Sequence, residues 1–243
     1  MSLADPTQGV NTLALFASQA HDCSYLSGRQ AVSLFADPNV MMTMAIYNQL
    51  VEHGFRRSGE NVYAPSCPNC TECKPVRIPV AAFKPNRAQR RILKRNQDIR
   101  VTCLPAAFND EHYELYQHYM STRHAGSSME NPSKTSYMSF LSSAWSDTYF
   151  YEFRDKNNLV AITVADKLNH GLSAVYTFFD PEYHRLSPGS YAILWLIKEA
   201  CSLQLSWLYL GYWIEGCQKM HYKAQYQPAE LLRNNQWTPF TSP

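Results

Sequence analysis

The stretch Leu172–Gly211, LSAVYTFFDPEYHRLSPGSYAILWLIKEACSLQLSWLYLG, reads as strand, turn, helix and strand in succession. Leu172 to Phe179 is rich in β-branched and aromatic residues, and Asp180-Pro181 ends the run. The turn at Gly189 opens an apolar helix from Ser190 to about Gln204, and Trp207 to Gly211 makes a further short strand. Upstream, Thr148 to Phe153 and Leu159 to Leu168 are two more strands. Lys156-Asn157-Asn158 and Asn169-His170-Gly171 supply the turns between them. Three antiparallel strands followed by a helical crossover to a fourth predict an α+β fold for the C-terminal part.

The rest of the chain supports a division in two. At 243 residues, with 45% hydrophobic, 17% charged and 13% aromatic residues, the sequence can bury one large core or two small ones. Cys103-Leu104-Pro105 reads as a linker, which gives an N-terminal domain over 1–104 and a C-terminal domain over 105–243. After it come an aromatic helix, Glu111 to Arg123, and a polar loop, Gly126 to Thr135. Ahead of it, Thr12 to Phe16 reads as an edge strand, Val40 to Glu52 as a helix capped near Asp37-Pro38, and Val76 to Val80 as a strand. No run approaches the ~20 apolar residues of a membrane span, and MSLADPTQGV has no basic segment leading into an apolar one, so a cytoplasmic protein is expected. A monomer is expected too, because no heptad or broad apolar stripe argues for association.

Thiols and cations crowd into Gly54–Ile78, GFRRSGENVYAPSCPNCTECKPVRI. Cys67, Cys70 and Cys73 recur every three residues, and with the remote Cys23 they make a candidate set of four metal ligands. Three thiols at this spacing plus one distant suit an iron–sulfur cluster at least as well as zinc, whose sites usually split into two separated pairs; uncoordinated thiols are the third reading. An odd total of seven cysteines fits a reducing compartment, with Cys103, Cys201 and Cys217 read as small buried hydrophobes. From Arg56 to Arg100 there are eleven Lys or Arg against three acids, a local +8 in a chain whose formal net charge is +2. Within it, Asn86 to Asn96 is a helix carrying Arg87, Arg90, Arg91, Lys94 and Arg95. Like charges at helical spacing repel until an anion arrives, which points to phosphate binding over a merely solvated face.

Three blocks extend this reading: CSYLSGRQA (Cys23–Ala31), the Gly54–Val80 stretch just described, and Tyr176–Pro228, which ends in YLGYWIEGCQKMHYKAQYQP. Together they resemble the arginyl-transferase family of aminoacyl-tRNA–protein transferases over nearly the whole chain. That resemblance implies an N-end-rule enzyme that moves an amino acid from a charged tRNA to the N-terminal amine of a protein and so marks the protein for degradation. Bacterial members are leucyl donors acting on N-terminal Asp or Glu, so leucyl-tRNA and such proteins are the expected partners; eukaryotic relatives donate arginine to the same acceptors. The order of strands and helix also resembles the GNAT acyltransferase core. The expected architecture is therefore a small Cys-containing N-terminal domain joined to a GNAT-like acyltransferase domain. Eukaryotic relatives carry Cys-x-x-Cys where this chain has Cys23 followed by Leu26, and adjacent cysteines where it spaces out Cys67, Cys70 and Cys73.

The aminoacyl ester is already activated, so such an enzyme must chiefly present a neutral amine to the carbonyl and stabilise the oxyanion. Asp180, at the end of a central strand, is the candidate proton acceptor or relay, with capping of a turn as its structural alternative. Tyr176 and Tyr191 are candidates to hydrogen-bond the terminal ribose or the tetrahedral oxygen. An acidic N-terminal residue calls for cations, and Arg56, Arg57, Arg77, Lys219 and Lys223 are the candidate set, each alternatively an RNA contact. Arg185 opens the Arg185–Ser190 loop, where a GNAT enzyme holds the CoA pyrophosphate on backbone N–H groups. Pro188 removes one such donor, so the loop is expected to face the tRNA end instead. A CoA-dependent acetyltransferase and a non-enzymatic RNA-binding module are the competing functions.

Overall fold

The computed structural model describes residues 13–123 and 132–241; most of the predicted polar loop at 126–135 lies outside them. The N-terminal elements are β1 (Leu15–Ala17), β2 (His21–Asp22), β3 (Gln30–Ala31), β4 (Ser33–Ala36), α1 (Met44–Glu52), β5 (Arg56–Ser58), β6 (Asn61–Pro65), β7 (Lys74–Pro79), α2 (Arg87–Arg95) and β8 (Ile99–Pro105). There follow α3 (Asp110–Arg123), α4 (Lys134–Leu141), β9 (Thr148–Asp155), β10 (Asn158–Lys167), β11 (Gly171–Phe179), α5 (Pro188–Ser202), β12 (Trp207–Trp213), β13 (Glu230–Arg233) and β14 (Gln236–Pro239). Short 3-10 turns span Val80–Ala82, Pro181–Leu186 and Gln218–Gln225.

Eight strands form the main sheet in the order β14-β13-β7-β12-β11-β10-β9-β8, beside a four-stranded sheet β1-β4-β6-β5 and the β2-β3 hairpin. The main sheet takes β7 and β8 from the chain ahead of residue 104, so its hydrogen bonds cross the expected domain boundary. The expected linker at Cys103–Pro105 is the end of β8, paired residue by residue with β9 from Cys103↔Tyr151 to Pro105↔Tyr149. The linker reading took Cys103-Leu104-Pro105 together, but a proline is tolerated at a strand end on a sheet edge, which is where Pro105 lies.

Alternation along β12 shows how the layers assemble. Leu208 and Leu210 join Tyr191, Leu194 and Ile197 of α5 in one core, while Tyr209 between them joins Tyr47 and Val51 of α1 in another. A third core lies between α3, α4 and the sheet, where Tyr113, Tyr116, Met120, Tyr137 and Leu141 pack on Ile162, Val164 and Phe178. The small sheet is locked to the large one by Arg57, whose guanidinium meets Asp166 at 2.6 and 2.7 Å with both side chains fully buried. Thr148 Oγ1 at 2.7 Å and Tyr47 Oη at 3.1 Å donate to the same carboxylate. Helix α1 starts at Met44 with Thr43 as N-cap, not near Asp37-Pro38. Cys103 and Cys201 are exposed, and only Cys217 of the three is the buried hydrophobe expected.

Candidate active site

Parallel strands β11 and β12 pair only at Gly171↔Trp207, Leu172↔Leu208 and Ser173↔Tyr209, and then run on unpaired to Phe179 and Trp213. The separation has a local cause. The β12–β7 register shifts between Tyr209 and Tyr212, and Gly211 inside that irregularity holds φ +74°, a bulge that turns β12 aside. A cleft therefore opens in the middle of the sheet, and Ala174 to Thr177 are only half-buried although β11 is an interior strand.

Strand carbonyls freed by the separation need donors, and two cations supply them. The Arg56 guanidinium donates to Ser173 Oγ at 2.9 Å and to the Ala174 carbonyl, against β11. Lys223, only 6% exposed, donates to the Tyr212 carbonyl of β12 at 2.5 Å. Burial, and after it the positive charge of Arg56, pulls Lys223 down to about 7. Neither cation forms an ion pair with a carboxylate among the described residues. Arg56 also lies under Gly211, where a Cβ would stand 3.5 Å from its Nε.

One wall beside these cations is aromatic. Tyr176 packs edge-on to Phe140 at 5.2 Å and to Tyr119 at 6.5 Å, Tyr119 meets Phe179 at 5.0 Å, and Arg123 lies 5.7 Å over the Phe179 ring. The Tyr222 hydroxyl, raised to about 12 mainly by burial, also feels Tyr119 and Arg56, while the residue as a whole is 43% exposed. These rings and hydroxyls, the half-buried Arg56 and the buried Lys223 thus flank the separated strands, a setting that suits a ligand with an apolar part and an anionic part.

The remaining predicted cations separate by their partners. Arg57 is committed to Asp166. Arg77 is held by Glu52 at 3.0 Å and Glu230 at 2.8 Å and lies between the rings of Trp207 and Trp237, at 3.6 and 4.2 Å. Both have carboxylates of their own. Lys219 is exposed on the 3-10 turn that carries Lys223. Asp180 caps the Pro181–Leu186 turn by accepting from Glu182 N at 2.9 Å, and its carboxylate stands 3.8 Å from His118 Nε2. Tyr191 packs in the α5 core against Phe153 at 5.7 Å.

Arg87, Arg90, Arg91, Lys94 and Arg95 are all exposed on α2, whose Asn86–Gln89 capping box is complete. The helix is tied to the cleft at both ends. Gln89 Nε2 donates to Gln225 O at 3.0 Å on the Lys223 turn, and Asn96 Nδ2 donates to Leu186 O at 2.9 Å. Arg95 bonds the Arg185 carbonyl. The basic helix, Arg185 and Lys219 therefore belong to structure that borders the cleft.

Cys23, Cys67, Cys70 and Cys73 are half-buried free thiols. Burial, then the neighbouring Cys67, Cys23 and Cys70 thiolates, pushes Cys73 up to about 12. Cys70 Sγ accepts from Arg29 at 3.2 Å and Cys67 Sγ from Val32 N at 3.5 Å. Four sulfurs within electrostatic reach are a donor set suited to a thiophilic cation. Among the described residues, however, no three His, Cys, Asp or Glu side chains are positioned together as ligands.

The family model for the N terminus of arginine-tRNA-protein transferase matches residues 21–91, and the model for its C terminus matches residues 111–233. The chain belongs to the arginine-tRNA-protein transferase family. An aspartate/glutamate leucyltransferase of Pseudomonas putida GB-1 is 51% identical over 225 residues, covering 93% of this chain and 96% of its own. Proteins of the same name from Pseudomonas savastanoi pv. phaseolicola and Pseudomonas syringae pv. syringae are 50% and 51% identical over the same shares of both chains. Among solved structures, a DUF2156 domain from Agrobacterium fabrum, named for a lysylphosphatidylglycerol synthetase, superposes with a TM-score of 0.51 at 11% identity. It covers 70% of this chain and 58% of its own, a likeness of fold. The cleft thus lies inside the C-terminal family segment, while Arg56 reaches it from the N-terminal one. Sequence reasoning named Arg56, Lys223 and Tyr176 in this transferase but missed Phe140, Tyr119 and Tyr222. The signal that would have found the opening is Gly211, a glycine inside a strand pattern.

Proposed function

We propose that this enzyme transfers leucine from leucyl-tRNA to the N-terminal amine of proteins that begin with Asp or Glu, and that the transfer takes place in the cleft between β11 and β12. The observation that carries the reading is the pair Arg56 and Lys223, which have no carboxylate partner among the described residues, beside an aromatic wall. A guanidinium can grip the acceptor's side-chain carboxylate with two bonds. The wall of Phe140, Tyr119 and Tyr176 is built of aromatic rings, which supports an apolar donor side chain over arginine. The name carried by relatives at 51% identity supports the same donor and acceptors.

The chemistry needs alignment more than activation, because the ester is already reactive. A splayed parallel pair after a helical crossover is the arrangement of a GNAT-type acyltransferase, and the C-terminal part is proposed to work as one. Arg87, Arg90, Arg91, Lys94 and Arg95, with Arg185 and Lys219, are proposed to bind the tRNA backbone and bring its 3′ end to the cleft. Pro188, as the first residue of α5, withholds one N–H from any CoA pyrophosphate. Tyr176 is proposed to line the donor site, and Asp180 with His118 to relay a proton at its edge.

Cys23, Cys67, Cys70 and Cys73 are proposed as ligands of zinc or an iron–sulfur cluster, whose positive charge would offset the burial and thiolate repulsion that raise Cys73 and brace the N-terminal part. Marking proteins for degradation in the cytoplasm, as a monomer, completes the proposal; among the described residues no helix is long and apolar enough to cross a membrane. The test is transfer of labelled leucine, and separately arginine, from charged tRNA to matched peptides starting with Asp, Glu, Lys or Ala. Leucine transfer confined to Asp and Glu is expected. Arginine transfer would overturn the donor, and no transfer at all the reaction.

A further inference from the structure

Lys223 is a buried lysine whose surroundings give it no reason to be charged. Its Nζ donates to the Tyr212 carbonyl at 2.5 Å, its one hydrogen bond among the described residues, and the Tyr222 ring lies 5.8 Å away. Among the described residues, the charged and titratable groups that face it are Arg56 from β5, of like sign, Cys217 from the turn after β12, and Tyr222 beside it on its own turn. Of these, Arg56 is the stronger influence. In an empty cleft, therefore, burial and the nearby charge of Arg56 both oppose protonation of the lysine. A carboxylate entering the cleft would reverse that balance, offsetting the charge of Arg56 and attracting a proton to Lys223.

The acceptor brings both the carboxylate and a proton. Its α-amino group titrates near pKa ~7.7–8.0 and is mostly an ammonium ion at neutral pH, unable to attack an ester. Resting on the reading of the cleft given above, we propose that the acceptor switches Lys223 on: when the side-chain carboxylate of an N-terminal Asp or Glu seats on Arg56, Lys223 accepts a proton from that residue's own α-ammonium group. An acidic first residue thereby generates its own nucleophile, and a neutral or basic one does not.

The step balances. One ammonium proton passes to Lys223 Nζ, and the amine lone pair forms the C–N bond at the aminoacyl carbonyl. The C–O bond to the ribose breaks, and the departing oxygen takes a second proton from the former amine. The proton on Lys223 returns to solvent when the product and its carboxylate leave. Below about 7 Lys223 already takes its proton from solvent before the acceptor binds, so the coupling is felt at alkaline pH.

Calorimetry with a peptide whose N-terminal Asp is replaced by a succinyl group separates the switch from the cleft. This ligand keeps the carboxylate and lacks the amine, so any proton must come from the buffer. Titrated at pH 8 into the full chain in two buffers of different ionisation enthalpy, it is expected to take up about one proton per peptide bound. A butyryl peptide should take up none, and Lys223→Met should lose the uptake while still binding the succinyl peptide through Arg56. Binding by wild-type protein without proton uptake would overturn the switch and leave the cleft standing, and that arm does not depend on the variant folding. Uptake that persists in Lys223→Met would also overturn it. Failure of the wild-type protein to bind the succinyl peptide would overturn the cleft reading along with it.

Discussion

Replacing Arg56 by Ala tests whether this side chain reads the acceptor. The guanidinium is half-buried, bonded to Ser173 Oγ at 2.9 Å and to the Ala174 carbonyl, and has no carboxylate recorded against it among the described residues. Losing one member of a desolvated charge pair costs about 2–5 kcal/mol. Lys223 remains as a second cation in the cleft, which argues for the lower part of that range, ~2–3.5 kcal/mol. At ~1.4 kcal/mol per tenfold this is about a 30- to 300-fold loss of kcat/KM for an acidic acceptor. The variant also loses its bonds to β11, and that structural cost falls on every acceptor equally. The quantity to follow is therefore the ratio of kcat/KM for a peptide beginning with Asp to that for one beginning with Asn, measured with leucyl-tRNA as donor. The ratio should collapse by the stated factor while affinity for tRNA holds. An equal loss on both peptides, with the ratio intact, would refute the role of Arg56 as reader.

Three further expectations follow from other parts of the molecule. Asp166→Ala strands the fully buried Arg57 without its carboxylate and should lower stability by about 3–5 kcal/mol in urea unfolding; a loss below ~1 kcal/mol would contradict the lock between the two sheets. Replacing Arg90, Arg91, Lys94 and Arg95 together by Ala should weaken tRNA binding and flatten the slope of log K against log salt by about 3, and an unchanged slope would remove α2 from the RNA surface. Lys223 sits at about 7 in the folded chain against ~10.4 unfolded, so between those values the unfolded chain holds the extra proton and stability rises with pH. Wild-type protein should gain stability relative to Lys223→Met as pH climbs from 6.5 to 9, and a difference independent of pH would count against the buried, uncompensated lysine.

Periodicity in the C-terminal part left little to discover about its strands, because β-branched and aromatic runs bounded by Asn, Gly and Pro turns admit one reading. Strands β9, β10 and β11 fall on the three expected runs, and α5 begins two residues ahead of Ser190, with Pro188 at its first turn. Of the small sheet, only its edge strand β1 overlaps an expected strand; β4, β5 and β6 escaped because they are three to five residues long and amphipathic patterns need more length than that. Strand β8 escaped because Pro105 imitates a linker. The catalytic geometry was less legible still, for a physical reason. Whether an arginine is structural or available depends on its partner, and the partners lie far off in sequence: Asp166 for Arg57, Glu230 for Arg77, and only backbone and a hydroxyl for Arg56. Composition placed all three in one basic stretch, and only the fold separates them. Asp180 shows the same limit, since the residue that was to relay a proton also caps the turn at its own strand end.

The claim on which the rest depends is that transfer takes place between β11 and β12. A crystal structure of the protein with an inert donor mimic, leucine joined through an amide to 3′-amino-adenosine, addresses it directly. The account predicts the leucyl side chain against Phe140, Tyr119 and Tyr176, with its carbonyl between the unpaired ends of the two strands and within reach of an amine held by Arg56 and Lys223. Density for the mimic elsewhere, with the cleft closed to it, would contradict the account.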